Sequence, residues 1–509
     1  MRITVYTNAP ECFEDMSEVL RVFYPGAEIA QIETPDAFLR HERSEREGWV
    51  TEKYDLQGEK FQWTAPLAGD GWEVKRRRRR SVKQGCYWLL RRATGKRPPW
   101  GSLTGIRPTR LFYERLEKGD APAEAEASLL RQFDLRPDRA RLLRETCETQ
   151  RPFMNPPADA VDVYVGIPFC VTRCSYCSFF AEALGKGKKV PPYLDALARE
   201  MQAGAGLMRR RGLKPRALYV GGGTPTSLTA EQLELVLALM GELFPGAREW
   251  TVEAGRPDTI DADKLAVMHA AGVTRVSVNP QTMNDQTLRL IGRAHTADDV
   301  DRAFAMARAA GFENINMDLI AALPGETEAD FARTLDRVAA LRPDSITVHT
   351  LARKHGSVMN EFGFHPAPPE VAEAQVELGA RRAREMGMRP YYLYRQKMVA
   401  GNLENVAYAL PGAESVYNID IMEETTHILA LGAGAISKRI IPEETRIERA
   451  PNVGDVGHYI ARVDEMIARK EALWQERAPR CARREQENAD GNPKDPNYRN
   501  PNGEEDIEG

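Results

Sequence analysis

Residues 165–177 read Val-Gly-Ile-Pro-Phe-Cys-Val-Thr-Arg-Cys-Ser-Tyr-Cys, which spaces Cys170, Cys174 and Cys177 as Cys-x3-Cys-x2-Cys directly after an apolar strand candidate, Val161–Gly166. Thiolates grouped on one loop are the ligands of iron–sulfur clusters, and a cubane cluster presents four irons to its protein. Three protein ligands leave one iron open, as a catalytic metal keeps an open coordination position. A structural zinc site takes four ligands, usually in pairs, and no further His or Cys follows closely enough to complete one. The spacing therefore predicts a 4Fe–4S cluster held by Cys170, Cys174 and Cys177.

Outward from this loop the pattern is one of repeated strand–helix units. Apolar strand candidates are Val161–Gly166, Ala217–Val220, Trp250–Ala254, Arg275–Val278, Ile315–Ile320 and Ser345–Val348, with amphipathic stretches such as Tyr193–Met208 and Glu328–Leu341 between them. Buried strands alternating with helices indicate a parallel sheet. Six units predict an α/β fold with an incomplete (β/α)6 barrel over residues 161–365, its chemistry at the C-terminal strand ends. Residues 1–150 read as an N-terminal α/β domain, 151–160 as a linker and 366–477 as a mainly helical C-terminal region. Residues 478–509 are rich in Asn, Pro and Glu, with too few apolar side chains to fold on a core, and read as a disordered tail.

The 509 residues carry a net charge of −4, with 42% apolar and 28% charged residues, so no global charge draws the chain to nucleic acid or anionic lipid. The start lacks a signal-peptide pattern and no apolar run reaches membrane-spanning length, which leaves no membrane partner. Seven Cys, three of them clustered, fit a reducing, cytoplasmic location rather than a disulfide framework. Cys12, Cys86, Cys147 and Cys481 stand alone and read as ordinary thiols. The segment 75–112 contains many Lys and Arg and no acid, with Arg76–Arg80 in one run. It reads as a solvated strand or loop face, or else as a surface for an anionic partner such as nucleic acid or a polycarboxylate.

The second strand candidate ends in Val220-Gly221-Gly222-Gly223-Thr224-Pro225-Thr226. Glycines at a strand end permit close backbone approach and can expose N–H groups to an anion or polar ligand. With the three-Cys loop, whose last Cys follows the aromatic Tyr176, this pattern resembles the radical S-adenosylmethionine (SAM) superfamily. The resemblance implies a partial (β/α)6 radical SAM barrel and an open iron that binds SAM. Reductive cleavage of that cofactor then gives a 5′-deoxyadenosyl radical. It implies that Gly222, Gly223 and Thr224 stand where the methionine moiety binds. It further places Tyr164 and Glu253 near the cofactor, Gln281 and Asp318 at its ribose, and Arg293 at its carboxylate.

Gly223-Thr224-Pro225, where the superfamily's glycine motif has an acid, narrows the resemblance to oxygen-independent coproporphyrinogen III oxidases, and the stretches Ser277–Met283, Val348–Ala352, Tyr392–Lys397, Gly401–Asn405 and Leu103–Pro108 resemble their HemZ-type branch. The implied reaction is oxidative decarboxylation of coproporphyrinogen III to protoporphyrinogen IX in haem biosynthesis, with a flavodoxin- or ferredoxin-type electron donor. Two positions depart from the oxidase pattern, which has His at Gly166 and a fourth, non-ligating Cys at Phe179. A sibling group with similar changes consists of haem chaperones, which gives a second reading; RNA modification is a third. Candidate cations for substrate carboxylates are Arg353, Lys354, Arg395 and Lys397, and candidate haem ligands are His349, His355 and His427.

Overall fold

The computed structural model describes residues 1–105, 107–177, 181–352, 367–396, 399–441 and 446–475. The N-terminal sheet contains β1 (Arg2–Thr7), β2 (Glu28–Gln31), β3 (Leu39–Arg46), β4 (Trp49–Leu56) and β5 (Glu59–Pro66), in the order β2-β1-β3-β4-β5. β1 is parallel to β2 and β3, whereas β3, β4 and β5 form an antiparallel meander. Its two tight turns, Glu47-Gly48 and Gln57-Gly58, have positive φ at both residues, which suits a two-residue hairpin to the strand twist. Helices α1 (Phe13–Phe23) and α2 (Gly71–Thr94) complete a core of Ile3, Val5, Met16, Leu20, Val82 and Leu90.

The basic run thus lies on a helix, not on the strand or loop face read from sequence. The helical repeat is carried by Val82, Cys86, Leu89 and Leu90, all buried on one side of α2. Asp70 caps its first turn by accepting from the Glu73 amide (3.2 Å), and Gly95 ends it in the left-handed region. Arg is a good helix former, so the run continues the helix while its heads pair outward. Arg76 donates to Glu114 (2.8 Å), Arg77 to Glu73 (2.9 Å), Arg78 to Glu45 (2.7 Å) and Arg79 to Asp15 (3.1 Å).

Helices α3 (Thr109–Glu117), α4 (Pro122–Phe133) and α5 (Pro137–Gln150) join a different core: Phe112, Leu129, Leu143 and Cys147 cluster with Val163 and Val165 of the central sheet. That sheet is built on β6 (Ala160–Ile167), β9 (Lys214–Gly222), β10 (Glu249–Val252), β11 (Arg275–Ser277), β12 (Ile315–Ala321) and β13 (Ser345–Thr350), all parallel as the alternation predicts. A short pair, β7 (Phe169–Cys170) and β8 (Glu182–Ala183), stands apart at the Cys loop. The connecting helices are α6 (Val190–Arg211), α7 (Ala230–Leu243), α8 (Ala262–Ala270), α9 (Asp285–Leu290), α10 (Ala297–Ala309) and α11 (Glu328–Leu341). Along each strand one set of side chains (Val163, Val165, Leu218, Val220, Met317, Leu319) enters the apolar core. The alternate set, Tyr164, Tyr219, Asp318 and His349, lines the opposite face, as the two-residue period requires.

The helices expected after residue 366 are α12 (Pro369–Glu385), α13 (Val416–Glu423), α14 (Val456–Ala461) and α15 (Val463–Leu473). The same region also contributes five strands: β14 (Arg389–Arg395), β15 (Glu404–Ala409), β16 (His427–Leu431), β17 (Ile436–Ile441) and β18 (Arg446–Pro451). They extend the sheet to β14-β15-β13-β12-β11-β10-β9-β6-β16-β17-β18, with β16 parallel to β6. The aromatic cluster Tyr391–Arg395 is therefore a strand, consistent with the preference of aromatic residues for a pleated surface. Among the described residues no helix is long and apolar enough to cross a membrane. The expected tail 478–509, with Cys481, lies outside the described residues.

Candidate active site

The Cys loop and the glycine loop are built against each other. The amides of Gly223 and Thr224 donate to the carbonyls of Ile167 and Phe169, both at 2.8 Å. These two N–H groups are therefore spent on the Cys loop and are not free for an anion, contrary to the sequence expectation. The approach is so close that a Cβ on Gly223 would stand 2.6 Å from the Phe169 oxygen. Gly222 adopts φ +105°, where glycine alone is relaxed. The Thr224 hydroxyl lies 3.5 Å from the Cys170 sulfur. On the other side of the loop, the Ser175 amide donates to the Ile291 carbonyl (3.0 Å).

Two arginines fasten the cysteines to the strand ends. Arg293, 7% exposed, donates to the Tyr176 hydroxyl at 2.9 Å and reaches the Gly255 and Asn279 carbonyls at 3.4 Å. Arg256 was not singled out from the sequence, yet it donates to the Thr172 carbonyl (3.0 Å) and points at the Cys174 sulfur (3.7 Å). Its remaining donors grip Asp258 at 3.1 and 2.8 Å, and His295 lies 3.7 Å from the same carboxylate. Burial would raise the Asp258 carboxyl, but His295 and Arg256 hold it well below the usual range.

The other sequence candidates gather on the inner face of the sheet. Glu253, just after β10, accepts a short hydrogen bond from Tyr219, and burial pushes its carboxyl up to about 7. Tyr164, Tyr219 and Tyr417 stack together, with Tyr219 and Tyr417 only 4.3 Å apart. Asp318 accepts from Asn316 (2.8 Å) and lies 3.8 Å from Nε2 of His349, whose Nδ1 is 3.2 Å from the Tyr394 hydroxyl. Burial opposes the Asp318 charge, but the neighbouring His349, Asn316 and Thr347 side chains keep its carboxyl below the ordinary range. Gln281 is buried at φ +68°, a strained conformation for a side chain-bearing residue. It is held there by backbone hydrogen bonds to Asp318 and Ile320, both 2.9 Å. It caps no helix.

Two candidates fall elsewhere. Arg395 is 3% exposed, donates to the carbonyls of Leu103 and Asn402 and lies over the Trp100 ring. It is a clamp between segments and not a free cation for substrate. His427 accepts from the Ile440 amide at 3.1 Å and packs edge-on against Trp474, so it is a satisfied structural residue. Arg353, Lys354, His355, Lys397, Phe179 and Ile106 of the Leu103–Pro108 stretch lie outside the described residues.

The arrangement fits a cluster better than a single metal ion. A structural zinc site takes four ligands on one metal, whereas this loop supplies three thiols, Cys170, Cys174 and Cys177. A cubane instead takes each thiolate at a different iron. Burial and the neighbouring Cys177 and Cys174 all push the Cys170 thiol up, a repulsion that a cationic iron centre would relieve. The buried Nε of Arg293 has no partner and remains available to an anionic ligand group. The residues present thus suit an iron–sulfur cluster with a carboxylate-bearing cofactor beside it.

Comparison with known proteins agrees. Residues 164–338 match the Radical SAM superfamily. The chain is 41% identical to the oxygen-independent coproporphyrinogen-III oxidase-like protein HemZ of Bacillus subtilis, over 76% of this chain and 80% of that protein. It is 32% identical to the heme chaperone HemW of the same organism, over 60% of this chain and 76% of that one. Among solved structures, coproporphyrinogen III oxidase (HemN) from Escherichia coli, a radical SAM enzyme, superposes with a TM-score of 0.50 at 26% identity. That match covers 62% of this chain and 72% of HemN. The cofactors of this fold are a 4Fe–4S cluster and SAM. With its Cys loop, glycine loop and six parallel strands in place, the chain belongs to the radical SAM superfamily, in the coproporphyrinogen III oxidase-like, HemZ-type branch.

Proposed function

We propose that the chain is a radical SAM oxidoreductase that decarboxylates propionate side chains of coproporphyrinogen III to the vinyl groups of protoporphyrinogen IX. The observation that supports this reading is the Cys loop tied by Arg256 and Arg293 to the strand ends of the sheet whose inner face bears Glu253, Asp318, His349 and three stacked tyrosines. Cys170, Cys174 and Cys177 would hold the cluster. Tyr164, Gly222, Gly223, Thr224, Glu253, Gln281, Arg293 and Asp318 would surround SAM, with Arg293 on its carboxylate, where a guanidinium gives bidentate geometry. When bound, the cluster and SAM supply a carbon-centred radical able to take a hydrogen atom from a propionate β-carbon. Each propionate then loses CO2 and one further electron, which passes to an acceptor; a flavodoxin- or ferredoxin-type protein supplies electrons to the cluster. The tyrosine stack would provide a flat, apolar wall with polar tips for a tetrapyrrole edge.

The deciding experiment is anaerobic. Reconstituted, dithionite-reduced protein is mixed with SAM and coproporphyrinogen III, and 5′-deoxyadenosine and protoporphyrin are followed by chromatography. Both products are expected; deoxyadenosine without porphyrin product would overturn the substrate assignment.

Haem carriage is the second reading, favoured by the identity to HemW and by Gly166. A Cβ at Gly166 would meet Tyr164 at 3.3 Å and otherwise only ordinary contacts, so the backbone does not force glycine there. The missing His is a chemical departure and not a steric one. Haem titration separates the readings: a Soret band that His349→Ala abolishes would favour carriage.

A further inference from the structure

Between α2, α3 and α4, on the N-terminal side of the molecule, lies a cavity of about 280 Å³. Arg76, Arg77, Arg80, Arg115 and Lys118 line it against only two carboxylates, Glu73 and Glu114. Both carboxylates are already engaged, by Arg77 and Arg76 respectively, and Arg115 pairs with Asp120. The side chains of Arg80 and Lys118 make no hydrogen bond or ion pair among the described residues. Arg80 is half-buried, its guanidinium held 5.3 Å from the Phe133 ring centre, and both burial and neighbouring Arg76 oppose its charge. A second observation is independent of charge: Ser81, 1% exposed, lines the same cavity, and its hydroxyl has no partner. A buried polar group left unpaired costs free energy of the order of a hydrogen bond.

We propose that this cavity binds a small phosphate-type oxyanion, with Arg80 and Lys118 supplying charge and Ser81 a hydroxyl donor. A guanidinium fork, an ammonium and a hydroxyl donate from several directions, which matches the oxygens of a phosphate. The volume falls below the roughly 300–1,000 Å³ of drug-sized sites, so the ligand is a phosphate, pyrophosphate or small phosphorylated metabolite and not a tetrapyrrole. An RNA backbone fits less well. It needs a row of free cations along a surface, whereas Arg76, Arg77, Arg78 and Arg79 are paired within the protein.

Calorimetric titration of the full-length, cluster-loaded protein with inorganic phosphate and with pyrophosphate, at matched ionic strength, tests this site. Saturable binding of one oxyanion per chain is expected. Arg80→Gln should weaken it by about 10-fold or more, the ordinary loss for a hydrogen bond to a charged group, and Lys118→Gln should weaken it several-fold. Arg78→Gln, whose guanidinium pairs with Glu45, should leave it unchanged. Should Arg80→Gln lose its circular dichroism spectrum, the exposed Lys118 carries the test. Absence of saturable binding at millimolar concentrations, or binding indifferent to both variants, would overturn the proposal. So would salt-sensitive binding of an RNA oligonucleotide in place of phosphate, weakened equally by Arg78→Gln and Arg80→Gln.

Discussion

Glu253 sits at the end of β10 with a phenol hydrogen-bonded to it and the Asp318 carboxylate nearby. Burial raises its pKa from 4.5 to about 7, and Asp318 adds to the rise. For an acid raised in the folded state the stabilising contribution is present below the unfolded value and is lost as pH climbs through the folded one. In cofactor-free protein, stability contributed at this position should therefore fall between about pH 4.5 and pH 7. Glu253→Gln, which keeps an acceptor for Tyr219 but cannot ionise, should unfold about 1–2 kcal/mol later at pH 8 and match wild type near pH 4.5, the shift being discounted for partial solvent access. Thermal melts at the two pH values check it; an equal gap at both would refute the titration. Arg256 gives a second prediction. Hydrogen bonds to cluster sulfurs help set cluster potential, and an Arg256 N–H lies 3.7 Å from the Cys174 sulfur. Arg256→Gln should lower the cluster reduction potential in an electron paramagnetic resonance titration, with three cysteines still binding iron. An unchanged potential would show that this arginine acts as a brace on the Thr172 carbonyl and Asp258 and not on the cluster.

At the scale of elements, the contact between the glycine loop and the Cys loop explains more than either motif alone. Gly223→Ala places a methyl 2.6 Å from a backbone oxygen, so one loop must move. Overpacking of this kind costs about 1–3 kcal/mol, and here the displaced segment carries Cys170. The variant should melt earlier and retain less iron and sulfide per chain. Gly166→Ala meets nothing closer than 3.3 Å and should retain its cluster, which makes it the matched control. Equal iron content in the two variants would contradict the packing argument. The six parallel strands were legible because each is a short apolar run alternating with a helix, a pattern that local sequence carries. The three cysteines were legible for the same reason, since their chemistry depends on spacing within one loop. Arg256 and His295 were not, because their meaning lies in which strand ends the fold brings beside Cys174. The strands β14 to β18 were also missed. Charged residues interrupt β14, β17 and β18, as in Tyr391–Arg395 and Arg446–Pro451, without a clear period, and β15 and β16 take their places by pairing with β13 and β6, which are distant in sequence. The basic run was read by charge and so as a face, although the periodicity of α2 lay just downstream in Val82, Cys86 and Leu89.

For the whole molecule the two hydrophobic cores suggest where the chain divides. One comprises residues between Ile3 and Leu90; the other begins at Trp100 and includes Phe112, Leu129 and Leu143 with the central sheet. We propose that the separable N-terminal unit ends near residue 96, ahead of the boundary at 150 expected from sequence. The seam between the cores is largely polar. Tyr87 donates to Asp134 (2.6 Å), Gln84 to the Gln132 carbonyl (2.7 Å) and Lys83 to Thr104 (3.0 Å). Interfaces of that kind join domains that can fold independently. Beyond it the attachment changes character: Trp100 is fully buried and donates to Glu404 of β15 at 2.6 Å, while Arg139 of α5 reaches the same carboxylate at 3.0 Å. A chain starting at residue 97 should therefore express as a folded protein that binds iron. A chain starting at residue 151 removes Trp100 and all of α3 to α5. It exposes apolar core and leaves Glu404, 1% exposed, without either donor. Loss of one partner of a buried ion pair alone costs about 3–5 kcal/mol, a large part of the roughly 5–15 kcal/mol that keeps a domain folded. The shorter chain should aggregate or melt without cooperativity, which size-exclusion chromatography and calorimetry would show. If it instead folds and binds iron as well as the longer one, the boundary belongs at 150 and the helices α3 to α5 are an accessory layer on the central sheet.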